Sequence, residues 1–230
     1  MKFPERIETT DIRTSDGIYT VIVNEEPLRT PKGHAVQTLS WDLANAMADE
    51  LMTEGIPDLQ RLSLYTLYAT QRDFIDDRID ATIGAVLQHL AGDFVLHPDA
   101  EPTLAARQLR AWAPLLGFLR DIGPEVPVAR PLQDVQIPWE LTEGLRVMLS
   151  DMTAAHLTVV LQTVTHLGSV ALGVLLAQQA IPLDEAVGAL TVTATHLGAT
   201  AHEPLGEQEL FIAETRRAVR RLLWYAQLNR

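Results

Sequence analysis

Residues 25–36 read EEPLRTPKGHAV, packing two prolines and a basic pair, Arg29 and Lys32, into one short turn. A phosphate cradle needs successive backbone donors, and one glycine after a lysine cannot build such a nest. No GxxxxGK[ST] or GxGxxG pattern occurs anywhere in the chain. A hairpin fits better. Upstream, Gly17 to Val23 reads GIYTVIV, β-branched and aromatic as strands are. It lies between the turn Ser15-Asp16-Gly17 and a second turn at Asn24-Glu25-Glu26-Pro27. The quoted stretch then supplies a short strand, Leu28-Arg29-Thr30, and a Pro-Lys-Gly turn. Together these predict a small antiparallel sheet ending near Val36.

After Thr38 the pattern turns helical. Ser40 is placed to cap, Asp42 suits the positive end of a helix, and Leu39, Leu43, Met47 and Leu51 form one stripe. Gly55 and Pro57 stop that helix. A second is expected from Asp58 to about Ile79 and a third from Ala81 to Leu90. Leu109, Trp112, Leu116 and Leu119 recur at helical spacing, with Pro114 forcing a kink or a restart. Gly123 to Pro138 is Pro-rich and reads as an extended connector. Everything from Trp139 onward reads as helix. The fold class is therefore α+β: a β-rich part over residues 1–37 and a larger helical part over 38–230.

The 230-residue chain is 47% hydrophobic and 21% charged, a globular balance with enough length for a real core. Its net charge of −12 would repel nucleic acid. Without cysteine there is no disulfide, thiol nucleophile or Cys-based metal site. Only Lys2 and Lys32 are lysine among 18 basic residues. The opening MKFPERIETTDI resembles neither a secretory signal nor a transit peptide, so a cytoplasmic protein is expected. Met152 to Leu183 holds no Asp, Glu, Lys or Arg, and about 20 apolar residues can span a bilayer. Here His156, Gln162, His166, Gln178 and Gln179 interrupt the run. It reads as one buried central helix without membrane insertion, in which Gly168, Ser169 and Gly173 let another helix approach closely.

The sharpest enzyme-like pattern is DDxxD at Asp76, Asp77 and Asp80, with Asp73 on the same face of an ideal helix. Such a cluster can hold magnesium against a diphosphate, as in isoprenoid-type enzymes, because hard cations take oxygen ligands. A second Asp-rich helix should face it, and the sequence offers none, so a solvated acidic face is the competing reading. His156 with His166, and His196 with His202, lack metal-ligand spacing. His166 reads as a hydrogen-bonded core histidine. No GxSxG elbow is present. The last helix carries Arg216, Arg217, Arg220 and Arg221 on one side, ahead of Trp224 and Tyr225, with Glu207, Glu209 and Glu214 earlier. That is either a docking strip for an acidic partner or complementarity to the helix dipole. With no catalytic set and no cofactor motif, the profile is that of a binding protein.

The order of these pieces resembles the ATP12 family, assembly chaperones of the F1 sector of ATP synthase. NEEPLRTPKG occupies the place of that family's LDGRPLKTPAG turn, with Leu28, Thr30, Pro31 and Gly33 matching. Leu43 to Leu51 is similar to its LAEAIAAEW helix, and Ile75-Asp76-Asp77-Arg78-Ile79 to its T-x-x-DR helix. Gln108, Trp112, Pro114, Leu115 and Leu116 keep its Q-x-x-x-W-x-P-L-L. Gly168 to Gly173 resembles GSLVLALAL, and Leu183 to Val187 resembles AEEAW. The likeness spans residues 16–228. It departs at Leu96-His97-Pro98-Asp99, where the family has CYRA, and at Thr193 and Ala194, where it has Asp-Glu. The resemblance implies a β-rich part followed by an orthogonal helical bundle, without catalysis or cofactor. It also implies a protein client, the unassembled F1 α subunit, whose subunit interface the chaperone masks. Glu207, Glu209, Arg216 and Arg220 are the expected contact residues.

Overall fold

In the computed structural model, residues 6–123, 125–129, 135–200 and 205–229 are described. Strands β1 (Thr10–Ser15) and β2 (Ile18–Val23) pair antiparallel with Thr10 opposite Val23. The Asp16-Gly17 tip has φ of 51° and 77°, which is why Asp-Gly joins them in two residues. β2 also pairs with β3 (Glu26–Pro27) and β4 (Gln37–Thr38). The expected Leu28–Thr30 strand is narrower than a strand: it contributes only an isolated bridge, Arg29 to Ala35. Pro31 has no N–H to add to a ladder, so the chain turns at once. Gly33 donates to the Thr30 carbonyl at 2.8 Å with φ of 89°, the left-handed region that glycine occupies freely.

Helix α1 (Trp41–Glu54) packs on β1 and β2. Ser40 caps it by accepting from the Leu43 N–H, and Gly55 ends it at φ of 80°. Leu43, Met47 and Leu51 are buried, but Leu39 precedes the helix and is 80% exposed, so the stripe begins one turn later than its spacing suggests. The helix expected from Asp58 starts only at Leu64. Residues 55–63 form a loop, and α2 (Leu64–Thr70) opens with a Ser63–Thr66 capping box. Gln71–Ile75 is π-helical, closed by Asp76 N–H to Gln71 C=O. The helix then breaks before α3 (Ile79–Gln88).

Pro114 marks a restart between α4 (Pro102–Ala111) and α5 (Ala113–Ile122). Leu109 points outward while Trp112, Leu116 and Leu119 are buried. The expected connector lies partly outside the described residues. Its described parts, 125–129 and 135–138, lack regular structure, and Ala129 N–H donates to Leu96 C=O at 2.7 Å. α6 (Trp139–Ser150), α7 (Ala154–Leu167), α8 (Val170–Ala177), α9 (Leu183–Thr200) and α10 (Leu205–Leu228) complete the chain.

The uncharged run 152–183 is not one helix as expected but two, α7 and α8, because Gly168 adopts a left-handed cap that ends α7. Every residue of α8 is buried. A Cβ at Gly173 would sit 3.0 Å from the Val160 carbonyl, so glycine is what lets α7 and α8 touch. Ile79–Leu96 is long and apolar enough to cross a bilayer; it folds as α3 and two 3-10 turns. One continuous core joins the sheet to the helices, from Val21 and Leu28 through Met47 and Leu115 to Leu222.

Candidate functional site

The turn at Pro31-Lys32-Gly33 is a joint. Asp73, buried in the π-helical turn, accepts from the Thr30 hydroxyl at 2.6 Å and the Lys32 N–H at 3.0 Å. His34 Nδ1 lies 3.0 Å from the same carboxylate. The Lys32 ammonium donates to the Asp73 carbonyl and sits 4.2 Å over the Phe74 ring. Two tyrosines of α2 fix the rest: Tyr65 donates to the Arg29 carbonyl at 2.8 Å and Tyr68 to the Gln37 carbonyl at 2.6 Å. Burial holds both phenols above their ordinary range, so they stay donors. Arg29 and Lys32 serve this joint, Arg29 by donating to Gly33 C=O.

This disposes of the shared face for the four aspartates. The π turn inserts a residue, Asp73 turns inward, and Asp76 accepts from Arg72 at 3.1 Å and Gln71 at 3.3 Å. Only Asp77 and Asp80 stand exposed. Among the described residues, no three acidic or histidine side chains converge as a cation site.

Motif residues found in sequence act as ties between helices. Gln108 accepts from Asp99 N–H at 2.7 Å and donates to Thr193 Oγ1 at 3.0 Å. The Trp112 indole donates to Ala189 C=O at 2.9 Å, joining α5 to α9. Asp93, which no sequence motif singles out, is a buried carboxylate at the head of α8. It accepts from the Val170 and Ala171 N–H groups at 2.7 and 3.1 Å, from Ser169 Oγ at 3.0 Å, and from Val95 N–H at 3.3 Å. Burial raises its carboxyl above the usual range, and these bonds offset only part of that rise.

The α10 arginines do not act as one strip. Arg221 reaches α1, bonding Glu50 at 2.8 Å and also Glu54. Glu50 in turn caps α2 by accepting from Leu64 N–H at 2.7 Å, and desolvation raises its carboxyl despite the guanidinium. Arg216 reaches the other way, to Asp184 of α9 at 2.5 Å. Arg217 and Arg220 between them are exposed, as are Glu207 and Glu209 near the start of the helix. The dipole reading holds for Glu207, in the first turn of α10, but fails for the arginines. No basic residue lies in the last turn of α10, and dipole effects fade within one turn.

An open groove of about 530 Å³ runs between α10 and the 55–63 loop, with Ile56, Leu62, His166, Phe211, Glu214 and Arg217 in its walls. His166 is therefore a surface histidine at the end of α7, not a core one, and desolvation against the groove keeps it neutral near pH 7. Phe211 in its wall is 47% exposed, and Leu59 of the loop and Leu210 of α10 are 58% and 59% exposed. His202 lies outside the described residues.

The fold is similar to that of the crystal structure of Atp12 from Paracoccus denitrificans, with a TM-score of 0.78, 20% identity and 97% of each chain covered; a point mutant of that protein gives the same figures. A candidate chaperone from Agrobacterium tumefaciens gives a TM-score of 0.78 at 20% identity over 95% of this chain and 84% of its own. At that identity the likeness is one of fold. No curated protein matches the sequence. The family model described as ATP12 chaperone protein matches residues 4–120, just over half of the chain. The protein belongs to the ATP12 chaperone family.

Proposed function

We propose that the chain binds the unassembled α subunit of F1 ATP synthase and covers the surface that α later buries against β. The family match carries the reading. An isolated subunit exposes apolar interface, and exposed apolar patches drive aggregation. Masking calls for modest affinity, so that an arriving β subunit displaces the chaperone, and it consumes no ATP. The open groove, with Phe211 exposed in its wall, suits reversible protein contact better than an enclosed substrate pocket. The proposed setting is a bacterial cytoplasm. Glu207, Glu209 and Arg220 stand exposed along α10 for client contact, whereas Arg216 would first have to leave Asp184.

The test is co-expression with tagged F1 α, and separately β, from the same organism, followed by pull-down and size exclusion. The expected result is a stable complex with α alone. Capture of β alone, or of neither, would refute the proposal while leaving the fold untouched.

A further inference from the structure

The protein carries a net charge of −12, yet one face of α10 is locally basic and aromatic. Arg217 and Arg220 are exposed, and Trp224, 39% exposed, follows at i+7 and i+4. Leu210 extends the same face toward the N-terminus. At 3.6 residues per turn these four side chains fall within ~80° of arc. The two neighbouring arginines are spoken for, Arg216 by Asp184 and Arg221 by Glu50 and Glu54. Among the described residues, Arg217 and Arg220 have no carboxylate within ion-pair distance. Nor do they serve the helix dipole, since both lie more than two turns before Leu228.

Two guanidiniums without an internal ion pair and a half-open indole thus stand together where a partner can reach. Arg and Trp are the side chains that most often carry interface energy. The guanidinium fork grips a carboxylate with two parallel bonds, and the indole offers a flat apolar platform. We propose that this face docks an acidic, apolar segment of the client. Carboxylates of the segment sit on Arg217 and Arg220, and its apolar side chains pack between Trp224 and Leu210. That the client is an F1 subunit rests on the function proposed above; the chemistry of the segment does not.

The probe is a short fluorescein-labelled helical peptide with Glu on one flank and Leu and Phe at i, i+3, i+4 spacing. A matched peptide carries Lys for every Glu. Fluorescence anisotropy with the full chain should show the acidic peptide binding and the basic one failing. In the Arg217→Glu/Arg220→Glu variant the acidic peptide should lose about tenfold or more. Trp224→Ala should lose about fivefold, and Arg13→Ala, on the exposed side of β1, should stay within about twofold. Each variant is first checked for an unchanged thermal transition, which exposed positions should preserve. Equal binding of the two peptides, binding of neither, or full binding by the double variant would overturn the inference. Capture of tagged F1 α is run alongside. If α is captured equally by wild type and double variant, the inference fails while the proposed function stands. If the peptide arm behaves as expected but α is not captured, the face stands and the proposed function fails.

Discussion

Asp73 shows what a single side chain can do that its sequence neighbours hide. It sits among acids and reads as part of a charged helix face, yet its carboxylate takes hydrogen bonds from Thr30, Lys32 and His34. Replacing it with Ala would leave buried donors unpaired, at a cost of about 3 kcal/mol; Asn, which keeps one acceptor, should lose less. Urea unfolding of the two variants would check the order. Glu25 makes the opposite case. It holds φ of 70° at an exposed hairpin tip, where a side chain is strained. Glu25→Gly should therefore stabilise by about 0.5–1 kcal/mol, read as an upward shift in melting temperature. The first effect was illegible in sequence because the partners lie about forty positions apart. The second was half legible: Asn24-Glu25 was read as a turn, but not as one needing left-handed backbone.

At the level of elements, helix type was legible and helix ends were less so. Ser40, Gly55 and Pro114 act as their chemistry predicts, whereas the start of α2 and the π turn depended on tertiary demands. The π turn exists where Asp73 must face inward while Ile75 stays in the core, and periodicity alone assumes an unbroken register. The uncharged run reads as one buried helix, whereas Gly168 breaks it into α7 and α8; the close approach at Gly173 yields a counterintuitive test. Alanine is the better helix former, yet Gly173→Ala should destabilise by about 1–3 kcal/mol because the methyl meets the α7 backbone. Asp93 at the head of α8 gives a pH signature. Its folded pKa lies above the unfolded one, so the folded state holds the proton more tightly. Its contribution is complete below the unfolded pKa and declines as pH rises through the folded one. Urea stability of wild type should therefore fall relative to Asp93→Asn between acidic and neutral pH. A constant difference between the two would contradict the assignment.

For the whole molecule, one ion pair closes the chain on itself. Arg221 near the end meets Glu50 in α1, and Glu50 holds the first N–H of α2. Arg221→Ala would strand a buried carboxylate, costing about 3 kcal/mol at neutral pH. The deficit should shrink on acidification, since Glu50 already has a raised pKa and loses its charge first; stability measured at pH 5 and 7 would show this. Fold class and family were readable across the chain because they rest on element order and short motifs. Which α10 arginines stand unpaired was not, because that depends on carboxylates brought up by other helices. Lys32 adds a practical consequence. Its ammonium is held against Asp73 C=O and the Phe74 ring, and Lys2 is the only other lysine. Acylating reagents, amine-directed cross-linkers and acetyltransferases thus find almost no handle on this protein, and none along α10. An amine-directed cross-link to a client would leave α10 unreported, unless Arg220→Lys places a reactive amine on the face in question.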